Sequence, residues 1–347
     1  MCVKINLIVT KQSYLYKKMK RFLTLALIGV CFELYGQYLP NNSQAFQFSP
    51  ILNPGFSGIE NFNDMKLSYR YQWTSFGEFS PTFINLSYNT RIKKPVDLSY
   101  NSLRISNSAV MNVPRSKRII HGLAGHLFQS TVGVIESLGA GVTYAFHYPV
   151  IREFRISFGV SAFAENRKLD LQEVTLRDPD NDAFYNHLLN SSTSQTDLNV
   201  RAGLLFYTPD FYFGLSYLPI YYESVQSSDL AFEEPFYLGT AVLGYAFQVN
   251  PQFVLKPSAS ALVQADYAIV YDLALKAYIQ EKVWAGVTYR SVETGVGMIG
   301  FNFNERFGVS YAYEMSFGEF QQFSGSSHEL VLGARLKNIR KQSQYTW

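Results

Sequence analysis

Cysteine is nearly absent from this chain: there are two, Cys2 and Cys31, and both fall within the first 36 residues. If that stretch is removed on export, no disulfide framework, thiol nucleophile or cysteine metal site is left. Charge is scarce too, at 16% of residues. The apolar run at 22–32 is about half the roughly 20 residues that a spanning helix needs, and no later stretch reads as a long helix. The five histidines, His121, His126, His147, His187 and His328, are scattered, and none sits in a Ser or Asp constellation that would activate a nucleophile. His121 and His126 are five apart, so on a strand they point to opposite faces and cannot share a metal. No Gly-rich loop follows a strand and opens a helix. An enzyme is not expected, and neither is a cofactor.

A strong basic balance is also missing. The formal charge of +3 misleads, because residues 1–36 hold six of the 30 Lys and Arg and one of the 27 Asp and Glu. Without them 24 basic residues face 26 acidic ones, which argues against a nucleic-acid partner.

What is present begins with a leader. Lys17, Lys18, Lys20 and Arg21 precede the apolar run, and small Gly36 stands before Gln37. This pattern predicts a secretory signal peptide over 1–36, with Met19 as the expected true start. A transmembrane helix competes poorly because the run is short, and a lipoprotein site at Cys31 is disfavoured by the bulky Val30 before it.

Beyond the leader, alternation dominates. Met65, Leu67, Tyr69, Tyr71 and Trp73 are large and apolar or aromatic, with Lys66, Ser68, Arg70 and Gln72 between them. That period of two is a strand, and it recurs about fourteen times. With 16% aromatic residues and a mean hydropathy of −0.04, the composition suits strands that show one face to lipid and the other to a lumen. The expected fold is all-β: a transmembrane antiparallel β-barrel of about 14 strands over residues 65–336, preceded by an irregular segment at 37–64.

An even strand count puts both termini on one side, expected to be the periplasm after export through a cleaved leader. The connections at 166–196, 219–234 and 316–326 are then extracellular, and tight turns near Asn250-Pro251 and Asn304-Glu305 are periplasmic. Parity also places in the periplasm the insertion at 92–120, which carries Lys93, Lys94, Arg104, Arg115, Lys117 and Arg118 against the single acid Asp97, and a basic tail at 337–347.

Three groups of residues are candidates for function. Arg70, Arg155, Arg201, Asp272, Lys276, Glu314 and Arg335 fall on polar strand faces, and read either as a network of paired charges holding the barrel or as the selectivity lining of a conduit. Asp178, Asp180, Asp182, Glu223, Asp229, Glu233 and Glu234 make the outer loops acidic, which fits a docking face as well as it fits solvation and ion bridging to lipopolysaccharide. Tyr69, Tyr71, Trp73, Trp284, Tyr311 and Tyr313 are expected on the lipid face or in its interfacial girdles rather than as a sugar-stacking surface.

A further signal is a motif. Asn53, Pro54, Gly55, Phe56 and Gly58 form LNPGFSG, whose bland reading is a turn packing one aromatic anchor. Tyr69, Arg70, Gln72 and Trp73 form YRYQW, followed by Pro81 and Thr82. Together these resemble the N-terminal signature of the PorP/SprF family, in which an NPA-aromatic-AG motif precedes a strand ending in YR-x-QW and a Pro-Thr pair opens the next. Gly55 and Ser57 replace the usual small residues here. The resemblance implies an outer-membrane barrel of the type IX secretion system of gliding and protease-secreting bacteria. It further implies that the barrel docks a secreted protein or adhesin through its C-terminal sorting domain and couples to periplasmic or peptidoglycan-linked components. A passive transporter for small or hydrophobic solutes and a purely structural surface barrel are the alternatives.

Overall fold

The computed structural model describes residues 42–93, 119–151, 153–170, 185–187, 193–226, 238–264, 269–280, 282–318 and 321–337. The leader and both cysteines lie outside the described residues, as do most of the insertion (94–118), Asp178, Asp180, Asp182, Asp229, Glu233, Glu234 and the tail beyond Lys337.

Fourteen antiparallel strands form one closed sheet. They are β1 (Asn63–Tyr71), β2 (Thr82–Lys93), β3 (Ile120–Val132), β4 (Ile135–Pro149), β5 (Arg155–Leu169), β6 (Ser194–Tyr207) and β7 (Phe211–Gln226). Next come β8, in two segments (Leu238–Tyr245 and Phe247–Asn250) broken at Ala246, and β9 (Phe253–Gln264), β10 (Val270–Ile279), β11 (Val283–Arg290), β12 (Thr294–Asn302), β13 (Phe307–Ser316) and β14 (Ser326–Leu336). Each strand pairs with its sequence neighbours. The barrel closes between β1 and β14, with Asn63 opposite Leu336 and Tyr71 opposite His328. Closure leaves no sheet edge unpaired.

The period of two sorts side chains to two environments. In β4, Leu138, Val142 and Tyr144 point outward and are 64%, 65% and 44% exposed, while Thr143, Ala145 and His147 point inward and are buried. In β14, Leu330 and Leu332 face out while Glu329 and Val331 are buried inside. An outer surface this apolar needs lipid around it. Among the described residues no helix is long and apolar enough to cross a membrane.

Several strands run further than the alternation of apolar residues suggests. β5 and β6 continue into the expected 166–196 loop, where Lys168 pairs with Ser194 and the Asn166 side chain donates to Ser194 and Thr196 hydroxyls. β7 passes through Pro219 to Gln226, shifting register against β6, so the 219–234 connection starts later than expected. β2 extends to Lys93, inside the expected insertion. Where both faces of a hairpin meet water, backbone pairing continues without any apolar alternation to mark it. The 316–326 connection holds a short helix, Gln321–Ser324. At the other margin, β1 ends at Tyr71, and Trp73 sits in a left-handed turn (φ 55°) that starts the 74–79 connection.

Candidate functional site: a plug seated in the lumen

Residues 42–62 lack any strand period, and they lie inside the barrel. Three single turns, Ala45–Phe48, Ser49–Leu52 and Pro54–Phe56, carry this segment across the lumen. Asn53, Gly55, Phe56, Ser57 and Gly58 are all buried. Such a segment has few backbone bonds of its own, so its buried N–H and C=O groups need partners on the wall. β1, β2, β4 to β8, β13 and β14 supply them.

At one end, the Ser43 hydroxyl donates to Glu314 Oε2 (2.7 Å) and the Gln44 N–H donates to Glu329 Oε2 (3.1 Å). Gln47 donates through Nε2 to the Ser310 hydroxyl, and its carbonyl accepts from Lys66 Nζ, each at 2.7 Å. At the other end, Asn53 Nδ2 donates to the carbonyls of Leu204 and Leu215 (3.0 Å each), while its Oδ1 accepts from the Gly55 N–H (2.8 Å). Ser216 Oγ donates to the Leu52 carbonyl and Ser157 Oγ to the Gly55 carbonyl, both at 2.8 Å. The Arg201 guanidinium donates to the Ile51 carbonyl, and Arg91 donates to the carbonyls of Gly58 and Ile59. The Gly58 N–H reaches Asn89 Oδ1 at 2.7 Å.

His147 is a wall residue dedicated to this seat. Its Nε2 lies 2.7 Å from the Ser57 carbonyl and its Nδ1 lies 2.8 Å from the Tyr207 hydroxyl. A carbonyl can only accept, so Nε2 carries the proton and Nδ1 accepts from Tyr207.

Shape matches this polarity. Phe56 enters a buried cluster with Ile59, Leu205, Tyr207 and Val242, and stands edge-on to Tyr212 at 5.5 Å. Glycines line the wall where the plug backbone touches it. A Cβ on Gly159 would stand 2.3 Å from the Pro54 carbonyl carbon, and one on Gly203 would stand 2.2 Å from Asn53 Oδ1. Side chains there would exclude the plug.

The charged candidates separate by what they touch. Arg70 pairs with Glu314 (2.9 Å), Glu314 accepts also from Arg290 (3.4 Å), and Arg290 chelates Asp272 at 2.9 and 3.1 Å. Arg70, Asp272 and Glu314 thus join one buried network, with Arg290 as the member that sequence reading missed; Glu329, also missed, stands across the strand pair from Arg70 and accepts from the plug. Arg290 is the fourth inward residue of β11, and its place in the alternation was the available signal. Arg201 holds the plug. Arg335 contacts Asn302 and lies over the Phe62 ring, Lys276 lies over the Phe46 ring, and Arg155 is a half-buried inward residue at the start of β5. Glu223 is on β7, not in a loop; it is exposed, and its carboxylate accepts from the Tyr221 hydroxyl.

The motif residues divide between two places. Asn53 to Gly58 form the plug's seat. Arg70 and Gln72 face the interior, Tyr69 faces outward, and Pro81 and Thr82 close the first hairpin, where the Gln72 N–H donates to the Pro81 carbonyl (2.8 Å). Of the aromatics expected on the lipid face, Tyr69, Tyr311 and Tyr313 are exposed, whereas Trp284 is not. It is 6% exposed and faces inward, stacked on Tyr278 and edge-on to Phe46 of the plug. In β11 the outward positions are Val283, Ala285, Val287 and Tyr289, so strand parity overrides the side chain's hydrophobicity.

Two cavities meet the plug from opposite ends. On the long-loop side, about 510 Å³ is bounded by Phe83, Phe128, Phe163, Leu218 and Leu262, with Pro50 to Leu52 as its floor. On the tight-turn side, about 300 Å³ is bounded by Phe46, Lys256, Lys276, Tyr278 and Trp284. Among the described residues, no group of three or more His, Cys, Asp or Glu side chains is placed to hold a metal ion.

Solved structures with a similar fold are distant in sequence. They include the toluene transporter TbuX of Ralstonia pickettii (10% identity, covering 83% of this chain and 93% of that one, TM-score 0.43). Others are the outer membrane protein Omp33 of Acinetobacter baumannii (12% identity, 81% and 100%, TM-score 0.45) and the toluene transporter TodX of Pseudomonas putida (10% identity, 88% and 98%, TM-score 0.43). No curated protein sequence matches the chain. The family model described as type IX secretion system membrane protein PorP/SprF matches residues 34–334, and the chain, an outer-membrane β-barrel, belongs to that family.

Proposed function

We propose that this barrel docks a secreted protein or adhesin at the cell surface by engaging its C-terminal sorting domain, and that it couples to periplasmic or peptidoglycan-linked secretion components. Membership of a secretion-system family gives the setting. The observation that carries the choice of docking over conduction is the plug: a segment hydrogen-bonded to nine strands lies across the lumen, whereas a passive transporter needs a continuous path through it. The role is non-catalytic, and outer-membrane lipid surrounds the apolar outer face.

In this reading both termini and the tight turns are periplasmic, together with the basic insertion and tail. The long connections face the outside, where Asp178, Asp180, Asp182, Asp229, Glu233 and Glu234 offer an acidic docking face. Mild-detergent affinity purification from the native host, followed by mass spectrometry, tests the proposal. Recovery of a large secreted protein with a C-terminal sorting domain supports it, and a partnerless barrel that conducts in planar bilayers favours the transporter. Because β7 runs to Gln226, the informative deletion is 227–234. It should release cargo to the medium while the barrel still assembles; unchanged retention of cargo would remove this loop from the docking face.

A further inference from the structure

The larger cavity, about 510 Å³ on the long-loop side, has Pro50, Ile51 and Leu52 of the plug as its floor. The charged side chains on its lining are engaged with one another or with their surroundings. Arg167 pairs with Asp197, Arg290 pairs with Asp272, Arg201 donates to the Ile51 carbonyl, and Glu165 accepts from the Ser137 hydroxyl. Three guanidinium groups thus balance three carboxylates on this lining.

Asn85 of β2 is different. It is 1% exposed and lines the cavity, and neither its Nδ2 nor its Oδ1 has a hydrogen-bond partner among the described residues. The hydroxyl of Ser68, its direct partner on β1, is equally buried and also makes no hydrogen bond. Buried amides are normally bonded, because the water they give up has to be replaced. On its other flank Asn85 stands opposite Phe128 of β3, which is stacked on Phe83 with ring centres 5.9 Å apart. The His126 ring contacts both Phe128 and Phe163, so the idle amide sits at the edge of an aromatic wall.

We propose that this cavity binds a neutral aromatic compound bearing a primary amide or lactam edge. Such an edge carries an N–H beside a C=O, the complement of the Oδ1 and Nδ2 that Asn85 presents. The rings of Phe83, Phe128 and Phe163 take the aromatic body, and the volume is that of a small-ligand site. A charged ligand would give up its hydration to a lining whose own charges are already engaged, so the neutral compound is preferred. Because the plug forms the floor, the site holds its ligand in the lumen and does not pass it on. The site rests on the seated plug and not on the docking reading.

Titration calorimetry of the purified full-length barrel in detergent tests the site. The probes are naphthamide, naphthoate as its charged counterpart, N,N-dimethylnaphthamide, which has lost the donor, and cyclohexanecarboxamide, which has lost the aromatic body. The expected result is saturable binding of naphthamide, about tenfold or more tighter than each of the other three and weakened about tenfold in Asn85→Leu. That variant should melt no lower than the parent, since it removes an amide whose hydrogen bonds the protein does not make. Phe163→Leu, which keeps the wall apolar but removes a ring, should weaken naphthamide severalfold. Absence of saturable naphthamide binding, equal affinity for naphthamide and its dimethyl derivative, parental affinity in both variants, or a clearly lower melting temperature of Asn85→Leu would overturn the proposal.

Discussion

Gly58 of the plug and Gly122 of β3 touch backbone to backbone. A Cβ on Gly58 would stand 2.2 Å from the Gly122 Cα, and one on Gly122 would stand 1.9 Å from the Ser57 carbonyl oxygen. Neither neighbour can yield as a flexible side chain would, and Gly58 also needs its positive φ of 73°. Gly122→Ala should therefore unseat this end of the plug or cost about 1–3 kcal/mol of overpacking. Limited proteolysis in detergent measures the first outcome and thermal melting the second. Gly125→Ala, three residues along the same strand and on its outward face, where the added Cβ would meet only the Gly141 carbonyl oxygen at an ordinary 3.7 Å, is the control; equal behaviour of the two variants would contradict the seat.

Asn53 tests the polar half of the seat. Its amide donates to two strand carbonyls while its oxygen accepts from Gly55, and only an amide can do both. Asn53→Ala loses all three bonds, at about 1–3 kcal/mol for the buried groups left behind. Asn53→Asp keeps the acceptor, but it turns a donor into a buried carboxylate oxygen facing two carbonyls, so it should be the more damaging of the two. Hydrogen exchange at the Gly55 amide and the melting temperature report the order, and an Asp variant as stable as the parent would refute it.

These predictions concern a part of the molecule that sequence periodicity could not place. Strands were legible because lipid and lumen impose opposite polarity on alternate residues, as Leu330 and Glu329 show. The plug was not, because a segment whose partners lie on strands up to 285 residues away carries no period; Asn53 meets Leu204 and Leu215, and Ser43 meets Glu314. What was visible there was the turn chemistry of Asn53, Pro54 and Gly55 and the family signature, but not its location. Trp284 went astray for a related reason: the plug brings Phe46 into the lumen and makes an inward position apolar. Glu329 was hidden in the same way, since its plug partner Gln44 is what makes its burial intelligible.

The buried network should behave as a unit. Glu314 stands between Arg70 and Arg290, and each is almost inaccessible to solvent. Glu314→Leu removes the carboxylate that Arg70 meets at 2.9 Å and should cost about 3–5 kcal/mol. Adding Arg70→Met removes the guanidinium that has lost this contact, while Arg290 keeps Asp272, so the double variant should recover part of that loss. Urea unfolding in micelles measures the coupling, expected to exceed about 1 kcal/mol. Strict additivity would mean that the two side chains are independent despite their 2.9 Å contact.

Removing the plug separates docking from transport most directly. A barrel of fourteen strands is wide enough to hold a lumen once nothing fills it, and the wall that faces the plug is lined by hydroxyls, glycines and charges that water can solvate. Deleting residues 42–60 while retaining the leader and Asp64, Lys66 and the rest of β1 should give a barrel with clear single-channel conductance in planar bilayers, where the full-length protein is silent. Stability should fall, because Glu329, His147 and Arg91 lose their partners on the plug, although water entering the lumen replaces some of those bonds. A full-length barrel that already conducts as well as the deletion variant would mean that the plug leaves a through-path, and the transporter reading would then take precedence over docking.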